Sequence, residues 1–203
     1  MFTDRKKTTM GWALVGSLLM SFFCQEAVAA NESPLALIKA RNQKVETILD
    51  AAGDQVSDET KEQLKDVINS FIDFEELSRL ALGKYWKERT AQEKRDFVNV
   101  FQQLIRNSSV KKLEAYKADR IVYEEPEING DKARVTTVAH KKRKEVEVLY
   151  KLHKVGEQWK VYDLEIDGAS TARNYRESFY KQIAKTSYQE MYNKLVKRLK
   201  ESK

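Results

Sequence analysis

Apolar residues recur every three to four positions through the first half of the chain, the spacing of helices with one buried stripe. Leu35, Ile38, Val45, Ile48, Leu49 and Ala52 form the first stripe. Pro34 opens it at a first turn, where a missing N–H costs nothing, and Gly53 closes it. Ser57-Asp58 caps a second predicted helix, with Leu64, Val67, Ile68 and Phe71 inward. Asp73 reads as the N-cap of a short helix carrying Phe74, Leu77, Leu80 and Ala81, with Gly83 at its end. Thr90-Ala91-Gln92-Glu93 has the form of a capping box. It opens the longest predicted helix, Ala91 to Lys117, which buries Phe97, Phe101, Leu104, Ile105, Ser108 and Leu113 and carries Tyr116 near its end.

Beyond this helix the period falls to two. Arg120 to Glu124 reads as a strand, and Asn129-Gly130 as a hairpin turn, since both residues tolerate positive φ. Ala133 to Lys141, Lys144 to His153 and Gln158 to Glu165 complete an antiparallel meander. Val146, Val148, Tyr150 and Leu152 share one face, and Glu145, Glu147 and Lys151 the other. Trp159 and Val161 likewise oppose Lys160 and Tyr162. One face therefore packs on something apolar and the other meets water or charge. A turn at Asp167-Gly168 leads into helices from Ser170 to Ala184 and from Ser187 to Lys200, the last with Met191, Leu195, Val196 and Leu199 inward. The expected class is α+β, a four-stranded antiparallel sheet packed against several helices.

The N-terminus has a different character. Arg5-Lys6-Lys7 precedes an apolar run from Met10 to Phe23, and Ala27-Val28-Ala29 offers small residues for cleavage. Residues 1–29 thus read as a secretory signal peptide, and the run is shorter than the roughly 20 apolar residues of a spanning helix. Phe22-Phe23 before Cys24 lacks the small residues of a lipobox. The remainder, 30–203, reads as one domain, and it holds no cysteine, so its stability rests on core packing even in an oxidising compartment. The chain has 37 Lys and Arg against 31 Asp and Glu, a formal net charge of +6. Much of the excess sits in Lys141-Lys142-Arg143-Lys144 and between Lys194 and Lys203. For an exported protein, anionic lipid head groups or an acidic partner are better counterparts than nucleic acid.

Catalytic constellations are absent from the sequence. His140 and His153 are the only histidines, and neither has a metal-ligand neighbour at suitable spacing; both read as surface residues. No phosphate-binding or nucleophile-elbow motif occurs, and Gly168-Ala169-Ser170 reads as a turn and a helix cap. Asp163 sits mid-strand among apolar neighbours, where a carboxylate pairs with a nearby Arg or caps a backbone turn more often than it acts as a base.

The order Trp159-Lys160-Val161-Tyr162-Asp163, Gly168-x-Ser170, Asn174-Tyr175-Arg176, Phe179 resembles the C-terminal pattern of the MlaC family, also called the toluene-tolerance auxiliary family. Phe71-Ile72-Asp73-Phe74, then Leu82-Gly83-Lys84-Tyr85-Trp86 with Thr90, Gln92 and Phe97, and then Val148-x-Tyr150-x-Leu152 are similar to earlier stretches of it in the same order. Ser108-Ser109 and Thr171-Ala172 depart from the pattern toward smaller side chains.

The resemblance implies a periplasmic phospholipid-binding shuttle, with no enzymatic activity and no cofactor other than bound phospholipid as cargo. It serves an ABC-type lipid transporter, working between an outer-membrane lipoprotein complex and an inner-membrane ABC complex, as a monomer that maintains outer-membrane lipid asymmetry. It implies an apolar cavity between sheet and helices, which periodicity does not distinguish from a filled core. Its expected lining is Phe74, Phe97, Phe101, Leu104, Val146, Val148, Tyr150, Trp159, Tyr175 and Phe179. Arg143 and Arg176 are the expected head-group or docking contacts. The competing readings are an exported isomerase of the cone-shaped NTF2-like type, a carrier of acylated proteins, and a binding module with a filled core.

Overall fold

The structure is a computed structural model that describes residues 32–53, 56–109 and 118–202. Each predicted helix forms where its caps place it. Ser33 accepts the Ala36 N–H at the start of α1 (Pro34–Ala52), and Ser57 does the same for Thr60 at α2 (Asp58–Asn69). Asp73 accepts the Glu76 N–H at 3.0 Å and starts α3 (Phe74–Leu82). A 3-10 turn (Gly83–Trp86) follows. The capping box before α4 (Ala91–Ser109) is complete: Thr90 Oγ1 accepts from the Glu93 N–H, and the Glu93 carboxylate accepts from the Thr90 N–H at 2.7 Å. That second bond is the main reason the Glu93 carboxyl lies below its usual range. The expected continuation of this helix to Lys117, with Leu113 and Tyr116, falls outside the described residues. Ser170 and Ser187 cap α5 (Thr171–Lys185) and α6 (Tyr188–Glu201).

Among the described residues the sheet has six strands where the alternation predicts four. They are β1 (Arg120–Tyr123), β2 (Glu127–Asn129), β3 (Lys132–Lys141), β4 (Lys144–Val155), β5 (Gln158–Ile166) and β6 (Ala169–Ser170). The order is β1-β3-β4-β5-β6, with β2 also on β3, and every pairing is antiparallel. Strands β2 and β6 are too short for a period of two to register. Asn129 pairs with Lys132, so the first hairpin loop is Gly130-Asp131, one residue later than expected.

Register sorts the side chains. Ala133, Val135, Tyr150 and Leu152 lie on one face, buried against Leu37 and Ile38 of α1 together with Phe71 and Val161. This is the α1 face. A bulge interrupts β5: Val161 pairs with Leu152 but Asp163 pairs with Lys151, so an extra residue, Tyr162, sits between them. Strict alternation would leave Asp163 on the α1 face with Val161. The bulge turns it to the opposite face, beside Lys151 and Glu165.

The other helices build a core of their own. Phe74, Leu77, Phe97, Phe101, Phe179 and Met191 are among the buried members contributed by α3, α4, α5 and α6. A smaller cluster joins Val45 and Leu49 of α1 to Leu64 and Val67 of α2. The bundle is fastened to the β5 edge. The Asp73 N–H donates to Val161 O and the Val161 N–H to Phe71 O, both at 2.8 Å.

One bundle residue gives the fold an alkaline limit. Tyr188 is buried, with the Arg89 guanidinium 4.3 Å above its ring, and burial followed by the Glu93 charge pushes its phenol up to about 12. In the unfolded chain the same phenol ionises near 10. The fold therefore holds the proton more tightly, so this contribution is intact below pH 10 and is lost as pH rises to about 12. Tyr188→Phe should flatten the fall in stability across that window in an alkaline unfolding series followed by circular dichroism; an unchanged slope would remove Tyr188 as its source.

Candidate functional site

The α1 face of the sheet is covered unevenly. At the α1 end, Ala133, Val135 and Leu152 are nearly or fully buried. Toward the β3–β4 hairpin tip, Ile121, Ala139, Val146 and Val148 are only half-buried, and Ile166 is 41% exposed. Pairing puts these five side chains together: Ile121 and Val146 flank Ala139, and Val148 pairs with Ile166. Thr137, 2% exposed, sits between Tyr123 and Val148. The outcome is an apolar strip whose covering is incomplete among the described residues.

The expected lining residues divide between two clusters. Val148, Tyr150 and Trp159 belong to the α1-face cluster, and Val146 lies on the same face. Phe74, Phe97, Phe101, Leu104, Tyr175 and Phe179 belong to the helical bundle. There Phe101 lies 4.8 Å from Tyr175 and 5.7 Å from Phe179, edge to face, and Phe97 stacks on Phe101 at 5.5 Å. Contacts of this geometry add to burial itself. Phe97, Phe101 and Phe179 are essentially inaccessible. Tyr175 is less so: burial pushes its phenol up, while Arg198 and a hydrogen bond with Ser108 act the other way.

Two spaces open at the surface. One, of about 110 Å³, lies between α1 and the start of β5, lined by Leu37, Arg41, Phe71 and Trp159 and edged by Glu157 and Lys160. The other is a groove of about 400 Å³ beside Trp86, Ala91, Lys94 and Val98. Of the expected lining, only Trp159 borders either.

The opposite face carries charge. Asp163, 5% exposed, accepts from Ser170 Oγ at 2.7 Å and from the Ala172 N–H at 2.9 Å, with Lys151 Nζ at 3.4 Å. Its role is that of a staple between β5 and the start of α5. Lys151 also bonds Glu165 at 2.5 Å, which is the main reason the Glu165 carboxyl lies below its ordinary range. His153, expected at the surface, lies instead 2.9 Å from the Asp73 carboxylate, with Tyr162 against its ring. The other histidine, His140, pairs with Glu145 at 3.1 Å.

Arg143 stands exposed in the β3–β4 loop, whereas Arg176 lies on α5 with its side chain near Gly83. The two are on different elements. Sequence reasoning missed Ile121, Ala139, Thr137 and Ile166. Their apolar alternation was visible, but joining them to Val146 and Val148 requires the register. Among the described residues no group of His, Cys, Asp and Glu could hold a metal ion, and no helix is long and apolar enough to cross a membrane.

No curated protein matches the chain. Among solved structures, the phospholipid-binding protein from Ralstonia solanacearum, in complex with a phospholipid, matches with a TM-score of 0.70 at 22% identity, over 83% of this chain and 97% of that one. At this identity the likeness establishes a shared fold. The family model described as MlaC protein matches residues 39–197, most of the sequence, and the chain belongs to that family.

Proposed function

We propose that this protein is an exported phospholipid carrier. The observation that carries the reading is the family match over residues 39–197, on a fold shared with a protein solved with a phospholipid bound. The half-covered apolar strip on the sheet supports it from this chain's own residues. In this reading the signal peptide at 1–29 delivers a single domain, 30–203, to the periplasm. There it moves phospholipid between an outer-membrane lipoprotein complex and an inner-membrane ABC complex. No reaction is catalysed, and phospholipid is cargo rather than cofactor.

The physical problem is transfer across water. Each buried methylene is worth about 0.8 kcal/mol, so some 30 of them in two acyl tails represent roughly 25 kcal/mol of gross hydrophobic free energy. A carrier must cover both tails and still release them. Val146, Val148, Tyr150 and Trp159 supply the sheet wall of the slot. Phe74, Phe97, Phe101, Leu104, Tyr175 and Phe179, which pack in the separate bundle core, supply the second wall as that core opens to admit the tails. Arg143 and Arg176 serve the head group or a docking partner.

Native mass spectrometry of protein purified from the envelope, after expression of the full chain, tests this directly. A species heavier than the apoprotein by one diacyl phospholipid is expected, with the lipid recovered by solvent extraction. Identical masses before and after delipidation would overturn the proposal. Val148→Trp should cut lipid occupancy severalfold by filling the strip; full occupancy would take Val148 off the lining. An acylated peptide in place of phospholipid would favour a carrier of acylated proteins.

A further inference from the structure

We propose that the β3–β4 hairpin tip is a docking surface for anionic phospholipid bilayers. It deepens the carrier reading, on which it rests, by naming the partner that the exposed Arg143 meets.

The tip breaks local rules that its neighbours obey. Four two-residue loops join strands of this sheet with positive φ at the first position: Gly130-Asp131, Lys142-Arg143, Gly156-Glu157 and Asp167-Gly168. Two place glycine there, at φ 57° and 60°, and one places Asp167, at φ 48°, residue types that such turns favour. The fourth places Lys142, at φ 55°, where a long L side chain is strained. Lys141 lies directly opposite Lys144, a like-charge pairing that weakens a hairpin. The loop is nonetheless held in shape, because Asp119 carboxylate accepts the Lys142 N–H at 2.7 Å and the Asp119 N–H donates to His140 O. Local penalties retained in a well-formed turn point to a use for the charge.

The surroundings define that use. Lys142, Arg143 and Lys144 are exposed, and Arg143 and Lys144 make no ion pair among the described residues. Arg120 adds a cation on the adjacent strand, opposite His140. The nearby acids are Asp119 and Glu145 and, further from the tip, Glu147 and Asp167, against the cations Arg120, Lys141, Lys142, Arg143 and Lys144, so cations are in excess at the tip. Directly behind them lies the apolar strip with Val146 half-buried and Ile166 41% exposed. An acidic protein face would need the charges alone. Cations that end on half-exposed aliphatic side chains match a bilayer surface, anionic outside and apolar beneath.

The test uses vesicles of phosphatidylcholine alone and of phosphatidylcholine with phosphatidylglycerol, mixed with purified wild-type protein and with the K142G/R143N variant. Wild type should float with the anionic vesicles only, and less as salt is raised. Each cation removed should weaken binding about fivefold, and the pair about 25-fold. Glycine suits the Lys142 backbone, so the variant should melt at or above the wild-type temperature. Equal binding to the two vesicle types or wild-type affinity in the variant would each overturn the proposal. Wild-type protein that carries no lipid yet binds anionic vesicles would overturn the carrier reading and leave the docking surface standing.

Discussion

Asp163→Ala should lower stability by about 3–5 kcal/mol, the range for removing one member of a buried, hydrogen-bonded charge network. The carboxylate accepts from a buried serine, from a backbone N–H in the first turn of α5 and from Lys151. Alanine would leave the Ala172 N–H and the Ser170 hydroxyl without partners, and an orphaned buried polar group costs about 1–3 kcal/mol. It would also remove a negative charge from a helix N-terminus, where the aligned peptide dipoles favour one. Ser170 is in turn the cap that accepts from the Arg173 N–H, so the loss reaches the first turn of α5. At roughly 2–4 °C per kcal/mol for a domain of this size, the melting temperature should fall by about 10 °C. Asp163→Asn keeps the shape and one acceptor, and should recover part of the loss. A drop below about 1 kcal/mol for the alanine variant in urea unfolding would show that the staple is dispensable.

The same residue shows how far the sequence can be read. Its low exposure and its capping role followed from chemistry, because a lone carboxylate inside an apolar strand needs donors. Its direction did not follow. The bulge at Tyr162 is a property of two strands together, visible only in the pairing of Lys151 with Asp163 and Leu152 with Val161. Helix starts were legible because each depends on one side chain within three residues of the N–H it accepts from, as at Ser57, Asp73, Thr90, Ser170 and Ser187. The bond between His153 and Asp73 spans 80 residues, and nothing local announces it. For the site, the sheet wall of Val146, Val148 and Tyr150 could be read from alternation. The bundle aromatics could be read only as buried, since a helical stripe does not say whether its neighbour is another helix or a space.

Gly83→Ala is expected to be equally damaging, and it tests the seam that positions those aromatics. Gly83 has φ 50°, and a Cβ built on it would lie 2.4 Å from the Tyr180 hydroxyl oxygen and 3.1 Å from Cδ of Arg176. The Tyr180 hydroxyl is not free to swing away without loss, because it accepts the Lys84 N–H at 2.8 Å. Its ring also meets Tyr85 edge to face at 5.1 Å. A positive φ costs an alanine about 1 kcal/mol, overpacking adds about 1–3, and the displaced hydrogen bond about 1, for a total of roughly 3–5 kcal/mol. Tyr180→Phe alone should cost only about 1 kcal/mol, through the hydrogen bond. The double variant removes the atom that the new methyl strikes, so it should be more stable than the sum of the single losses predicts, by about 1–2 kcal/mol. Because α3 and α5 meet along this seam, with Gly83 at one end and Ala172 in the shared core, the displaced Tyr180 would carry α5 outward, and Tyr175 and Phe179 with it. Additive losses in the double-mutant cycle would mean that the chain relieves the clash by shifting the 3-10 turn after α3, leaving α5 and its aromatics where they are.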